Sequence, residues 1–246
     1  MASDGGAVGD REPAPAKAGL WEDFVDIFYA PSSVFARRSE GKFGMPLLFL
    51  VIVGTVLFFL TKNAMQPVMD AEFARQTATA LRKNPTATAE QLSSMRGFFE
   101  TLGPLFFAIG MTLTVFIAGL TLWLVGKLLD AKESAAAAIT IATYAEVPRI
   151  VQVLTNAAQG LFMAPEKLTS MNSVGFSPAR FMDPDGSAVM IALVSRVDVF
   201  TIWVTVLLAI GLHVVGKIPK QQAAIAAVIM WIVGALPAVL GALRGS

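Results

Sequence analysis

Hydrophobic and polar positions fall into long blocks along this chain, not into short alternating strands or narrow helical stripes. Five blocks are almost uniformly apolar, at about 43–61, 104–125, 135–159, 198–216 and 221–243, and the charges gather between them. A helix rises about 1.5 Å per residue, so each block has the length needed to cross the roughly 30 Å hydrocarbon core of a bilayer. One such run suits a buried core helix; several in one chain predict a membrane bundle.

The connections have patterns of their own. Residues 1–19 are rich in Gly, Ala, Pro and Asp and bury too little apolar surface to offset chain entropy, so a disordered tail is expected there. Residues 20–29 predict a short amphipathic helix. At helical spacing Leu20, Trp21, Phe24, Val25, Ile27 and Phe28 share one broad face, and Glu22, Asp23 and Asp26 share the other. Pro31 ends this helix, which is read as packing on the bundle or lying at the membrane interface, with partner docking as the alternative. A long polar loop over 62–102 is expected to hold two short helices separated by Pro85. Thr88 and Gln91 have capping-box spacing for the second, whose apolar face is Leu92, Met95, Phe98 and Phe99. A second loop, 164–186, is punctuated by Pro165, Pro178 and Pro184, and a short interfacial helix is expected over 187–197. The predicted fold class is all-α: a polytopic membrane helical bundle with five transmembrane helices and short interfacial amphipathic helices, in one membrane domain over 20–243.

Composition sharpens this picture. Charged residues make up only 15% of the 246 positions and hydrophobic ones 55%, against about 25% charged in a soluble domain. A net charge of +1 predicts no nucleic-acid partner. With no cysteine there is no disulfide, thiolate site, prenyl or palmitoyl anchor, and with His213 as the single histidine no multi-histidine metal site. No metal and no cofactor are expected. The first apolar block starts too late, behind acidic residues and prolines, for a signal peptide, and is expected to stay in the mature protein. Arg37, Arg38 and Lys42, then Lys127 and Lys132, then Lys217 and Lys220 fall on one side of the membrane if the chain crosses five times. The lysine and arginine bias then places the N-terminus in the cytoplasm and the C-terminus outside.

Ionisable residues inside the apolar blocks are the candidates for chemistry. Glu146 and Arg149 lie three apart on one helical face of the third block, with Pro148 between them. An ion pair at this spacing lowers the cost of burying either charge, and Pro148 frees a carbonyl that Tyr144 or Gln152 is placed to help satisfy. Arg196 and Asp198 precede the fourth block and cannot share a face, so pairing of Glu146 with Arg196 and of Arg149 with Asp198 is a specific expectation. The four residues are read either as a stitch between helices or as an intramembrane polar cluster for transport, proton or headgroup chemistry. His213 is read as a hydrogen-bonding residue before a proton relay. Trp123, Trp203 and Trp231 are read as packing or interface aromatics. Asp183-Pro-Asp-Gly186 looks like the start of a calcium loop but lacks the later ligands, so a turn is expected. Gly119 and Gly126-Lys127 lack phosphate-loop spacing, and neither Gly-x-Ser-x-Gly nor His-Glu-x-x-His occurs. Gly234, Ala238 and Gly241 have the small-residue spacing of close helix packing.

Three short motifs, in order, carry a resemblance. Trp21-Glu-Asp-Phe-Val-Asp-Ile-Phe-Tyr-Ala-Pro31-Ser-Ser-Val-Phe35 is an amphipathic helix running into Pro-x-x-x-Phe. Ala142-Thr-Tyr-Ala-Glu-Val-Pro148 places Tyr144 and Pro148 in the third span. Asp198-Val-Phe-Thr-Ile-Trp203, with Gly211 further on, marks the fourth. Together they resemble the Yip domain family, the Ypt/Rab-interacting membrane proteins, over about residues 20 to 243. The resemblance implies five spans, a cytoplasmic N-terminus and no catalytic activity. Its eukaryotic members are implicated in vesicle traffic between endoplasmic reticulum and Golgi, through small GTPases and each other. The chain departs from them in lacking their longer N-terminal region, and its 62–102 loop looks more like the short bacterial members. A small GTPase partner is therefore not carried over, and a bacterial cytoplasmic membrane is the expected location.

The leading expectation is a non-enzymatic membrane scaffold or adaptor, with membrane lipids and other membrane proteins or a second copy as partners. The alternative is a transport or lipid-handling component that uses Glu146, Arg149, Arg196 and Asp198. An intramembrane enzyme lacks a nucleophile–base set. A scaffold is expected to satisfy its four charges internally in a well-packed interior. A transport or lipid-handling component is expected to show a polar cavity at the level of Glu146 and Arg149.

Overall fold

The computed structural model describes residues 19–83 and 88–245, so the expected tail over 1–19 lies, but for Gly19, outside the described residues, as does Pro85. The described residues form helices and connections and contain no strand. In chain order the helices are α1 (Leu20–Asp26), α2 (Pro31–Arg37), α3 (Gly44–Lys83), α4 (Ala89–Leu128), α5 (Ala135–Ala145), α6 (Pro148–Phe162), α7 (Ala188–Val194), α8 (Val199–Gly216), α9 (Lys220–Val233) and α10 (Leu236–Gly245). Three 3₁₀ turns, Pro165–Lys167, Met171–Val174 and Pro178–Phe181, occupy the loop between α6 and α7.

Four helical segments are long and apolar enough to cross a bilayer: Gly44–Arg82, Arg96–Leu128, Val199–Gly216 and Lys220–Arg244, the last bending between α9 and α10. Half of the apolar window of α8 is buried inside the protein, against 22% and 17% for α3 and α4. That difference sets α8 more deeply in the bundle than α3 and α4, whose outer faces turn toward lipid. The expected third span, 135–159, is two helices that break at Glu146 and Val147. Pro148 has no N–H to donate to the Tyr144 carbonyl, so α5 stops and a new helix starts with proline in its first turn.

The 62–102 region differs from its expected form. It is not a loop with two short helices but the continuation of both spans, because α3 and α4 run 40 residues each. At about 1.5 Å per residue each helix is about 60 Å long, twice the hydrocarbon core. Pro67 and Pro104 lie inside these helices without ending them. Polar pairs at helical spacing favour the extension: Gln66 with Asp70, Arg75 and Gln76 with Glu72, and Arg96 with Glu100. Arg96 also bridges to Asp70 across the two helices and lies over the Phe73 ring. The capping box is present, with the Gln91 N–H donating to Thr88 Oγ1 at 3.2 Å and the Thr88 N–H donating to Gln91 Oε1 at 3.1 Å.

The amphipathic faces of α1 also differ from the expected ones. Asp23 is fully buried, whereas Trp21 and Val25 are exposed. Helix α1 presents Phe24, Ile27 and Asp23 to the bundle because Arg37 meets Asp23 at 2.8 Å and Arg38 pairs with it too. Pro31 does more than end α1, since it opens α2, which buries Val34 and Phe35. The core then centres on α5, whose residues from Ala137 to Ala145 are all buried. Two glycines admit it: a Cβ on Gly119 of α4 would lie 2.6 Å from Ile139 Cα, and one on Gly211 of α8 would overlap the Ile141 side chain.

The two ends of the bundle have different characters. At one end the Lys132 N–H donates to the Gly216 carbonyl at 2.9 Å, which joins the two short basic connections. At the other, Val68 of α3 packs with Leu168 and Val174, and Arg75 Nη1 donates to the Pro184 carbonyl at 2.7 Å. The two long mixed-charge segments therefore meet on one side.

Candidate functional site

The break between α5 and α6 sets the polar cluster. Arg149 sits one turn beyond Glu146, and its Nε donates to Glu146 Oε2 at 3.0 Å. Arg149 Nη1 donates to Gln152 Oε1 at 2.8 Å, and Gln152 Nε2 reaches Asp198 Oδ1 at 3.3 Å. Asp198 is the N-cap of α8: Oδ1 accepts from the N–H groups of Phe200 and Thr201 at 3.0 and 3.2 Å, and Oδ2 from that of Phe176 at 3.1 Å. Arg196 turns the other way. Its Nη2 donates to the Trp231 carbonyl at 3.1 Å, while Trp231 Nε1 donates back to the Arg196 carbonyl at 3.1 Å.

The expected cross-pairs, Glu146 with Arg196 and Arg149 with Asp198, are not among the ion pairs of the described residues. Glu146 is taken within its own turn, and Asp198 is committed to capping. Arg149 reaches Asp198 only through Gln152. Among the described residues Arg196 forms no ion pair with a carboxylate, and its Nε is buried with no hydrogen bond. Gly234 makes room for this guanidinium, since a Cβ there would lie 2.8 Å from Nη2.

Three cavities run side by side from this cluster. The first, about 350 Å³, has Thr114, Thr121, Glu146, Arg149, Arg196 and Trp231 in its wall. The second, about 450 Å³, shares Thr114, Glu146 and Arg149 with it and passes Gly110. The third, also about 450 Å³, shares Phe107, Val153 and Asn156 with the second and is walled by Met65, Met69 and Met171.

Other sequence-predicted residues lie elsewhere. Tyr144 is fully buried, and its hydroxyl donates to Asp23 Oδ2 at 3.4 Å. The Trp203 ring meets Phe28 edge-on at 5.4 Å. The first motif therefore packs on the third-span and fourth-span motifs at once, while Pro148 shapes the helix break and Gly211 receives Ile141. His213 Nδ1 lies 2.6 Å from the Ile218 carbonyl, a loop contact at the end of α8. Asp183 Oδ1 accepts from the Asp185 N–H at 3.0 Å, the turn expected there.

Two buried acids carry no signal in the pattern. Asp23 looked like part of a solvated acidic face. Glu133 sits in a short connection, almost fully buried, with neither carboxylate oxygen hydrogen-bonded. A Cβ on Gly126 would overlap one oxygen, and one on Gly216 would lie 2.8 Å from the other. Burial pushes the Glu133 carboxyl above its ordinary value, against its own backbone contact and the nearby Lys127 charge. Lys127 Nζ donates instead to the carbonyls of Ala131 and Glu133.

A family model described as the Yip1 domain matches residues 25–241. The chain is 26% identical over 209 residues to the membrane protein YknW of Bacillus subtilis (strain 168), covering 83% of this chain and 83% of that protein. No solved structure matches it.

Proposed function

Because this chain belongs to the Yip1 domain family of membrane proteins, we propose that it is a non-enzymatic multi-pass adaptor that works through contacts with other membrane proteins. The observation that carries this reading is the α3–α4 hairpin. Its helices are about twice as long as the hydrocarbon core is thick, Arg96 clasps Asp70 across them, and Phe98 and Phe99 stand exposed beyond the apolar block. Exposed aromatics on a braced projection suit recognition of a partner chain.

In this reading α5 and α6 together form a third crossing, giving five, with α7 at the interface. The basic connections lie in the cytoplasm, the hairpin and C-terminus outside, and a bacterial cytoplasmic membrane is the location. A photo-crosslinking residue at Phe98 or Phe99 tests it. The expected result is a discrete adduct with another membrane protein or a second copy, absent when the crosslinker replaces the lipid-facing Met45. Lipid adducts alone at all three positions overturn the reading.

A second reading, a transport or lipid-handling component, is favoured by Arg196. Glu146, Arg149 and Asp198 are satisfied internally, as a scaffold needs. Arg196 is not, and it faces a cavity whose wall also carries Glu146 and Arg149.

A further inference from the structure

We propose that the run of cavities is a binding site for an anionic amphiphile, with its phosphate-bearing headgroup between Arg149 and Arg196 and its acyl chain along the groove between α3, α4 and α6. This rests on the lipid-handling reading and names its ligand.

The charges argue for an anion. Arg149 and Arg196 both face the first cavity, and Glu146 is the carboxylate in its wall. Asp198 is outside that wall and bound up in capping α8. The cavity therefore holds two guanidinium groups against one carboxylate, in a region of low dielectric where an uncompensated cation is costly. Arg196 offers a buried, unpartnered Nε beside its Nη2. Guanidinium groups bind phosphate oxygens through paired N–H donors, at a geometry a point charge cannot match. Thr114 and Thr121 stand in the same wall.

The neighbouring cavities argue for a chain attached to that anion. The Glu146–Arg149 pair is the partition between the first and second cavities, and the second runs on to the third past Phe107 and Val153. The far part of this path is lined by Phe58, Met65, Met69 and Met171, with Lys62, Glu72 and Gln76 at its edge. Methionine is unbranched and polarisable, so such a wall adapts to a flexible hydrocarbon. Gly110 leaves the second cavity unobstructed, because a Cβ there would meet nothing within 4 Å.

The test is thermal unfolding of the full chain in mild detergent, with added phosphatidylglycerol, phosphatidylcholine of the same acyl chains, or inorganic phosphate. A ligand that binds the folded state raises the melting temperature in a concentration-dependent way. Phosphatidylglycerol is expected to act at about tenfold lower concentration than phosphatidylcholine, the size of one charge-assisted contact. Inorganic phosphate is expected to give no shift. Arg196→Gln brings phosphatidylglycerol down to the phosphatidylcholine level. Gly110→Leu fills the open space with a better helix former and abolishes the shift from both lipids. Equal action of the two lipids, unchanged in Arg196→Gln, overturns the anionic headgroup and leaves the lipid-handling reading standing. Phosphate acting as strongly as phosphatidylglycerol makes this a free-anion site and overturns the acyl chain. Should Arg196→Gln not fold, a full phosphatidylglycerol shift in Gly110→Leu overturns the placement. No shift from any lipid overturns both the inference and the lipid-handling reading.

Discussion

Asp23 and Glu133 show how much a single buried carboxylate decides. Asp23 is fully buried with two partly exposed arginines on it, a setting between a surface pair and a buried one. Asp23→Asn is expected to destabilise the protein by about 1–3 kcal/mol, read as a lower melting temperature in detergent. An unchanged melting temperature contradicts the anchoring of α1. Glu133 works in the opposite sense. Its folded-state value is raised by burial, so the stability linked to its proton is complete below the ordinary value of 4.5 and is lost as pH rises through the raised one. Melting measured from pH 4.5 upward should therefore decline with pH in the parent, and decline less in Glu133→Gln, which should also be more stable at neutral pH. A steeper decline in the variant contradicts this. Neither acid was legible in the sequence. A helical wheel places Asp23 with Glu22 and Asp26, whereas Arg37 and Arg38, folded back from α2, and the Tyr144 hydroxyl make its burial favourable. The Glu133 cradle needs Gly126 and Gly216, which come from the ends of two different helices, α4 and α8.

At the scale of elements, α5 is the test piece. It is clamped between Gly119 of α4 and Gly211 of α8, and the two contacts differ in kind. At Gly119 a methyl group would meet the Ile139 backbone; at Gly211 it would meet only the Ile141 side chain. Both Gly→Ala variants are expected to cost about 1–3 kcal/mol as overpacking. Ile141→Ala should recover part of the loss in Gly211→Ala, whereas Ile139→Ala should recover little in Gly119→Ala. Unfolding of the single and double variants measures this, and equal rescue at both sites contradicts it. The apolar blocks themselves were legible, since periodicity and length reveal a membrane helix directly. The polar continuation of α3 and α4 was not. The charges and Pro85 read as loop signals, but side-chain pairs such as Glu72–Arg75 and Arg96–Glu100 favour helix outside the lipid. The Glu146–Arg149 pair was legible as a local ion pair, whereas the helix break at Pro148 was not, because 135–159 read as one span. The partners of Arg196 and Asp198 were not, because capping and the Trp231 carbonyl are tertiary choices.

For the whole molecule, the number of crossings fixes everything above it. If α5 and α6 jointly cross, the hairpin and the C-terminus share one side and the basic connections the other. The meeting of Arg75 with Pro184 and of Lys132 with Gly216 supports that division. The chain has no native cysteine, so single cysteines at Ser39, Ser93 and Ala242 can be labelled in intact cells with a membrane-impermeant maleimide. Labelling at Ser93 and Ala242, with Ser39 reacting only after permeabilisation, is the result predicted for five crossings. Labelling of Ser39 and Ala242 together, or protection of both, would show an even number of crossings and contradict the account.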